Sequence, residues 1–414
     1  MTVGGRRFLA ASVCVVGTIA AAAAGPCQAQ PSTPASVKLP VVYSTTPMTR
    51  NADLMLSASI LSASASEAGL AKVSPSLFRS TRKAARAARA AKLVLFDVPV
   101  VFYFVGLNHE WGHQTRATEY GMDSELLFTG TPWSPKPFEL YALEQMSDHP
   151  LAVPSVHGGG MTASRVLKDR AETIMLRSDR AAPGSALAAI ISSLDTPAYA
   201  QANLYSGRFT EEWQPGDVST YVRDWYDRQP RPGQTSLDDV RSHIRTRSAL
   251  NLLDAALWSE TIGLLSDYVW RGETDVRMRW LKVGGVGLLP SVRYEFSPLG
   301  PEYYVRTHYR ALGAVGTAYG RWTERIGEDR QIGGGLSLSR WSTPRLVPSV
   351  TIDVWSQTEE GSGFRGEVAA DFERWPARRA ALTVAVGAKS SGYLLGFPLA
   401  RGAYINAGVT LTVW

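Results

Sequence analysis

Cysteine and histidine are both scarce in this chain: 414 residues hold two Cys and six His. Cys14 and Cys27 both fall within the first 29 positions. Beyond them no disulfide, thiolate nucleophile or Cys metal ligand is available, so chemistry must rest on histidine and carboxylates. Charge is also thin, at 19% Asp, Glu, Lys and Arg, with a formal net charge of +6. The cations form no basic face interleaved with aromatics, which argues against nucleic-acid binding. Ample aromatic content, 10% of residues, argues against wholesale disorder. Three catalytic or phosphate-binding signatures are missing as well: the Gly-x-Ser-x-Gly nucleophile elbow, the P-loop and the dinucleotide fingerprint. Gly333-Gly334-Gly335 lies in a strand pattern with no helix after it.

One cluster stands out against this background. His109-Glu110-Trp111-Gly112-His113 has the form H-E-x-x-H within Val98–Gly121. Residues four apart share one face of a helix, so both imidazoles can address one Zn²⁺. Glu110 is then placed to take a proton from a zinc-bound water. Flanking residues predict the helix: Asp97 as N-cap, Pro99 in the first turn, Gly121 as the stop. Its first half is almost wholly apolar, from Val98 to Leu107.

The motif resembles that of zincin metallopeptidases. His109-Glu110-x-Gly112-His113 with Ala117 and Gly121 is similar to the HExGHxxxAxxxG helix of site-2-type proteases, over about 25 residues. The resemblance implies His109 and His113 as ligands and Glu110 as base. No downstream Asp-Gly ligand motif and no set of long apolar helices follows, so the resemblance extends to the metal chemistry and not to the membrane topology.

A catalytic zinc needs a third ligand and an open position. His157, in His157-Gly158-Gly159-Gly160, and Glu144, in an E-x-x-x-D pair with Asp148, are equal candidates; His149 and Asp195 rank below them. Glu119 lies six residues after His113, off the ligand face. The His157 run also resembles the HGGG oxyanion element of lipases, but the missing elbow excludes that chemistry. The glycines predict a flexible turn before a helix at Ala163.

The remaining chain divides by period. Met1–Ala29 reads as a signal peptide, with Arg6 and Arg7 before an apolar run. Residues 30–50 read as a linker. Asn51–Arg271 is predicted to be a mainly helical region carrying the H-E-x-x-H site; Asn51–Ala71 itself is open between helix and strand. Arg79–Lys92 is a basic helix, either solvated or set against anionic lipid. Ser236–Trp270 has a broad apolar stripe broken by Asp254, Glu260 and Asp267, which argues against a membrane span there. Val283–Trp414 has period two, with turn signals between eight or nine strands, and predicts an antiparallel meander that closes into a barrel. This end resembles outer-membrane β-barrels in strand length and in its aromatic terminus, although Trp414 falls on the polar face.

The sequence thus predicts an α+β protein. It is read as a zinc-dependent metallopeptidase-like hydrolase of the cell envelope, acting on a peptide or other amide, with Zn²⁺ as cofactor and outer-membrane lipid as partner. The competing reading is a non-enzymatic outer-membrane barrel, structural or transporting, with a helical plug.

Overall fold

The computed structural model describes residues 37–43, 46–78, 80–127, 130–135, 139–142, 149–178, 180–204, 216–228, 236–323, 331–340, 346–358, 360–373 and 380–413. The signal-peptide reading, Glu144, Asp148 and Trp414 lie outside these residues. The fold is α+β: a helical N-terminal part followed by an antiparallel sheet.

Helix α1 is Pro47–Val73, α2 is Lys83–Lys92 and α3 is Val98–Glu119; a π turn over Leu93–Asp97 joins α2 to α3 as one rod. Asn51–Ala71, left open by its sequence, is therefore helical. Asp97 does not cap α3. It is itself in the helical conformation, and it is buried in an ion pair with Lys92 at 2.7 Å. Gly121 does end α3, at φ +72°, with Met122 N–H bonded to Ala117 O and Gly121 N–H to Thr118 O. That pair of bonds is a Schellman stop, which needs the left-handed conformation glycine adopts cheaply.

Helix α4 is Ala152–Ser178, and it contains His157-Gly158-Gly159-Gly160, so the predicted flexible turn is not there. The reason is the crossing with α3. A Cβ on Gly112 would overlap the carbonyl of Gly159, and one on Gly159 would stand 2.7 Å from the carbonyl of Gly112. Each helical glycine costs about 1 kcal/mol relative to alanine. Here that cost lets two backbones touch at the level of the histidines.

Helices α5 (Pro183–Asn203), α6 (Asp217–Arg228), α7 (Leu237–Ser248) and α8 (Ala255–Gly263) follow, with a one-turn helix at Pro75–Phe78 and a π-helical segment at Leu264–Arg271 beside them. The long helical region predicted over Ser236–Trp270 is broken by a 3-10 turn at Ala249–Leu253, after which Asp254 caps α8 through Ala256 N–H.

The main sheet has ten strands. They are β1 (Val37–Tyr43), β2 (Leu281–Val283), β3 (Val286–Ser297), β4 (Gly300–Ala311), β5 (Ala314–Thr323), β6 (Ile332–Arg340), β7 (Leu346–Gln357), β8 (Gly361–Glu373), β9 (Ala380–Lys389) and β10 (Gly402–Val413). Strands β2 to β10 pair in sequence order as a meander, and β1 pairs with β10, Val37 opposite Val413 and Tyr43 opposite Ala407. Part of the segment read as a linker is thus a strand. The meander is compatible with a barrel; β1 and β2 are its outer strands, and no pairing joins them among the described residues.

The polarity of the sheet decides how it packs. On the face toward the helices stand Glu302, Arg306, His308, Arg321, Asp353 and Asp371, all buried. Some pair across the sheet, Arg321 with Glu302 and Arg365 with Asp353, and others with the helices: Arg306 with Asp169 at 2.5 Å and Glu172 at 2.6 Å, Arg293 with Glu172 at 3.0 Å and with Asp254, and Arg177 with Asp371. The opposite face carries Val350, Ile352, Val354, Phe364, Val368, Val386 and Ile405, all exposed. A water-soluble layered domain buries the apolar face of its sheet under its helices. This sheet does the reverse. The apolar core lies among the helices instead, around Leu56, Val101, Leu167 and Ala186.

Candidate metal centre

Helix α3 places His109 and His113 one turn apart, ring centroids 4.9 Å from each other, both buried. Each ring is clamped through Nδ1. His109 Nδ1 donates to Asp195 Oδ2 at 2.8 Å, and His113 Nδ1 donates to the Val156 carbonyl at 2.6 Å. These acceptors fix the proton on Nδ1 and leave each Nε2 as a lone-pair donor. Tyr199 stacks on His109 at 4.6 Å and 21°, restricting the ring further. Neither Nε2 has a hydrogen-bond partner among the described residues. Two buried nitrogens aimed at one point without partners call for a ligand.

The third group is Asp217, the first residue of α6. Its Oδ2 stands 3.4 Å from His113 Nε2 and 4.0 Å from His109 Nε2. The three ligand atoms all lie within 4.8 Å of one another. Tetrahedral zinc with bonds of about 2.0–2.1 Å separates its ligands by roughly 3.3 Å, so the set fits after a small contraction. Its two nitrogens and one carboxylate oxygen suit zinc and leave a position free. Burial alone would raise the Asp217 carboxyl. In the metal-free site the charge of a protonated His113, with His109 and His157 also facing the group, outweighs it and holds the carboxyl well below the usual carboxylate range.

Space for an ion is built in. A methyl carbon on Gly160 would stand 2.5 Å from His113 Nε2 and nearer still to His109 Nε2. Gly159 lacks a side chain for the helix crossing, and Gly160 for the volume between the two rings. The Glu110 carboxyl is half-buried and within electrostatic reach of His109, His113 and Asp217.

The structure brings His109, Glu110 and His113 together and places His157 beside them, in a different part from the one its sequence suggested. His157 is not in the three-ligand cluster; its Nδ1 lies 3.3 Å from Asp217 Oδ1, so it orients the carboxylate. Asp195, a minor ligand candidate, holds His109 from behind. His149 packs on Tyr120 at 5.2 Å, and Glu119 pairs with Arg116. Asp217 was not among the ligand candidates that the sequence offered. Its one local signal was a carboxylate opening an amphipathic helix, which most helices share.

No family model matches the chain, and no curated protein and no solved structure matches it either.

Proposed function

We propose that the chain is a zinc-dependent, metallopeptidase-like hydrolase held in the outer membrane of a cell envelope. One observation carries the enzymatic part: His109, His113 and Asp217 converge with both Nε2 atoms bare, each imidazole is clamped from behind, and a general-base carboxylate, Glu110, follows the first ligand. Zinc in this place supplies Lewis acidity, polarising a carbonyl and acidifying water toward neutral pH. The protein residues do the rest. Glu110 accepts the proton of the attacking water and returns it to the leaving nitrogen. Asp195 and Val156 O hold the rings in the liganding tautomer, and His157 steers Asp217. Hydrolysis of a peptide or other amide is the reaction that this set serves.

The test begins with metal content. The purified full chain is expected to bind about one zinc, and a His109→Ala/His113→Ala variant none; no zinc in the unmodified chain refutes the metal site. Glu110→Gln keeps the zinc and loses turnover of an amide substrate pool. Undiminished turnover in that variant refutes the role of Glu110.

The membrane part is supported by the reversed polarity of the sheet. Strands β3 to β10 are 9–13 residues long, a length that would span a hydrocarbon layer of about 30 Å at the tilt of a barrel wall. The same observation favours the second reading, a barrel with a helical plug whose metal is purely structural, since helices pack on the polar face. Heat-modifiable migration in detergent and partition with outer-membrane fractions are expected under both. A protein recovered from the periplasm without detergent overturns the membrane location. Turnover that depends on Glu110 separates the enzyme from the plug.

A further inference from the structure

We propose that α1 and the α2–α3 rod extend the wall of the sheet at its β1 edge and face lipid hydrocarbon directly. The proposal rests on the membrane reading of the sheet and extends it to the helix that carries the metal site.

The first observation is the sheet edge. Strand β1 pairs only with β10 among the described residues, and α1 packs against it. At that edge the sheet is in contact with a helix.

The second is where these helices keep their charge. In α1, Asp53 turns inward to Arg170 at 2.7 Å, and Glu67 accepts from Tyr268 at 2.6 Å. In α2, Arg89 is 0% exposed and donates to the carbonyls of Phe78, Ser80 and Val269, while Lys92 is buried against Asp97. The basic helix that its sequence presented as solvated, or set against anionic lipid, therefore holds two of its cations inside. Apolar groups point the other way: Leu54 is 53% exposed, Leu61 44% and Leu95 68%. A helix on the surface of a water-soluble protein shows the opposite arrangement.

The third is length and flanking charge. Both α1 and the Lys83–Glu119 rod are long and apolar enough to cross a membrane, yet only 33% and 39% of their apolar windows are buried in the protein. Core helices of soluble proteins pass the same length test by being mostly buried. On α1 the exposed cations are Arg50 at one end and Lys72 at the other, with no exposed charge between. Twenty-two residues of helix separate them, about 33 Å, close to the hydrocarbon thickness. Lys72, Arg82 and Lys83 gather at the turn joining α1 to α2, where long basic side chains reach the headgroups.

The occupant is lipid rather than a protein because the exposed charge of α1 stands only at its two ends, spaced like two headgroup layers, with exposed apolar side chains between.

The experiment places single cysteines in the full chain, on a Cys14→Ser/Cys27→Ser background. The sites are Leu54→Cys, Leu61→Cys and Leu95→Cys on the helices, Val368→Cys on the sheet and Asp238→Cys on a solvated helix. Each is labelled with an environment-sensitive fluorophore in vesicles of phosphatidylethanolamine and phosphatidylglycerol. Quenching by doxyl-labelled lipid is then compared with quenching by aqueous iodide. Labels at 54, 61, 95 and 368 are expected to be quenched several-fold more by the lipid probe than the label at 238. Iodide access at 54, 61 and 95 with lipid access at 368 overturns this proposal and leaves the sheet reading standing. Iodide access at 368 as well overturns both. If labelling lowers folded yield, Leu61→Arg against Leu61→Ser supplies a second readout: loss of the heat-modifiable form in the arginine variant alone is expected, and equal yields overturn the proposal.

Discussion

Replacing Gly160 with alanine tests the metal centre without touching a ligand. The added methyl carbon would stand 2.5 Å from His113 Nε2, and closer to His109 Nε2. Ordinary carbon–nitrogen contact is about 3.5 Å, so each ring must withdraw by roughly 1 Å. A zinc site tolerates only about 0.2 Å in its bond lengths. The displacement exceeds that tolerance several-fold, and the ion loses both nitrogens together. We expect zinc affinity to fall at least 100-fold, about 2.7 kcal/mol. The metal-free fold suffers less. Overpacking costs about 1–3 kcal/mol, and replacing a helical glycine recovers about 1 kcal/mol. The assay is zinc titration against a competing chelator, with thermal melts in chelator and in zinc. The melt in chelator should shift by a few degrees, while the stabilisation conferred by zinc disappears. Zinc bound to the variant with unchanged affinity refutes the placement of the ion between these two nitrogens.

Three further outcomes follow from the same geometry. Asp195→Asn keeps the bulk behind His109 but removes its charged acceptor, and zinc affinity should drop by about 10–100-fold in the same titration; an unchanged constant means the Asp195 bond does not orient the ligand. Zinc should dissociate on acidification as the two imidazoles protonate, with affinity falling by about two decades per pH unit once both are charged. Asp217 adds nothing to that slope, because its carboxyl is held well below the usual range and stays ionised there. In the metal-free chain its contribution to stability is present above the unfolded value of about 3.9 and is lost only as pH falls through the lowered one. A three-decade slope between about pH 5 and 7 contradicts this. Finally, Val368→Arg puts a charge on the exposed apolar face of β8 and should destabilise the folded form in lipid by about 2–4 kcal/mol, read as a lower urea midpoint of the heat-modifiable band. A cost near zero argues that this face meets water.

The parts of this fold that could be read in the sequence are those with local causes. His109 and His113 are one turn apart, so their helix, its proline start and its glycine stop were all visible, as were the period-two strands. What escaped depended on a distant partner. Asp217 joins the histidines only because α6 is carried back over α4. Asp97, placed as a cap by its position before Pro99, is drawn instead to Lys92, five residues earlier through the π turn. The three glycines after His157 looked like a turn because glycine is a poor helix former in isolation. Their reason is the backbone of Gly112 on another helix. Strand β1 was hidden in a proline-containing stretch, and its partner lies at the far end of the chain.

Polarity is the instructive case. Alternation along β7 and β8 showed two faces, one apolar and one polar, but alternation carries no sign: it does not say which face turns to the helices. That choice was made by α4, whose Lys168, Asp169 and Glu172 lie among the helix–sheet contacts and demand charged partners. Arg293, Arg306 and His308 on the sheet answer them. Once these ions are paired inside, the apolar face can only point out, and the same rule turns Arg89 and Lys92 inward on α2 while Leu95 turns outward. A chain with so little charge places much of it in its interior. In water this arrangement would forgo the burial of a whole sheet face. In hydrocarbon the exposed apolar face carries no penalty, because it matches the solvent, while the paired ions are kept away from it. Under the proposed membrane location, the reversed sheet and the reversed rod are one property with a single cause.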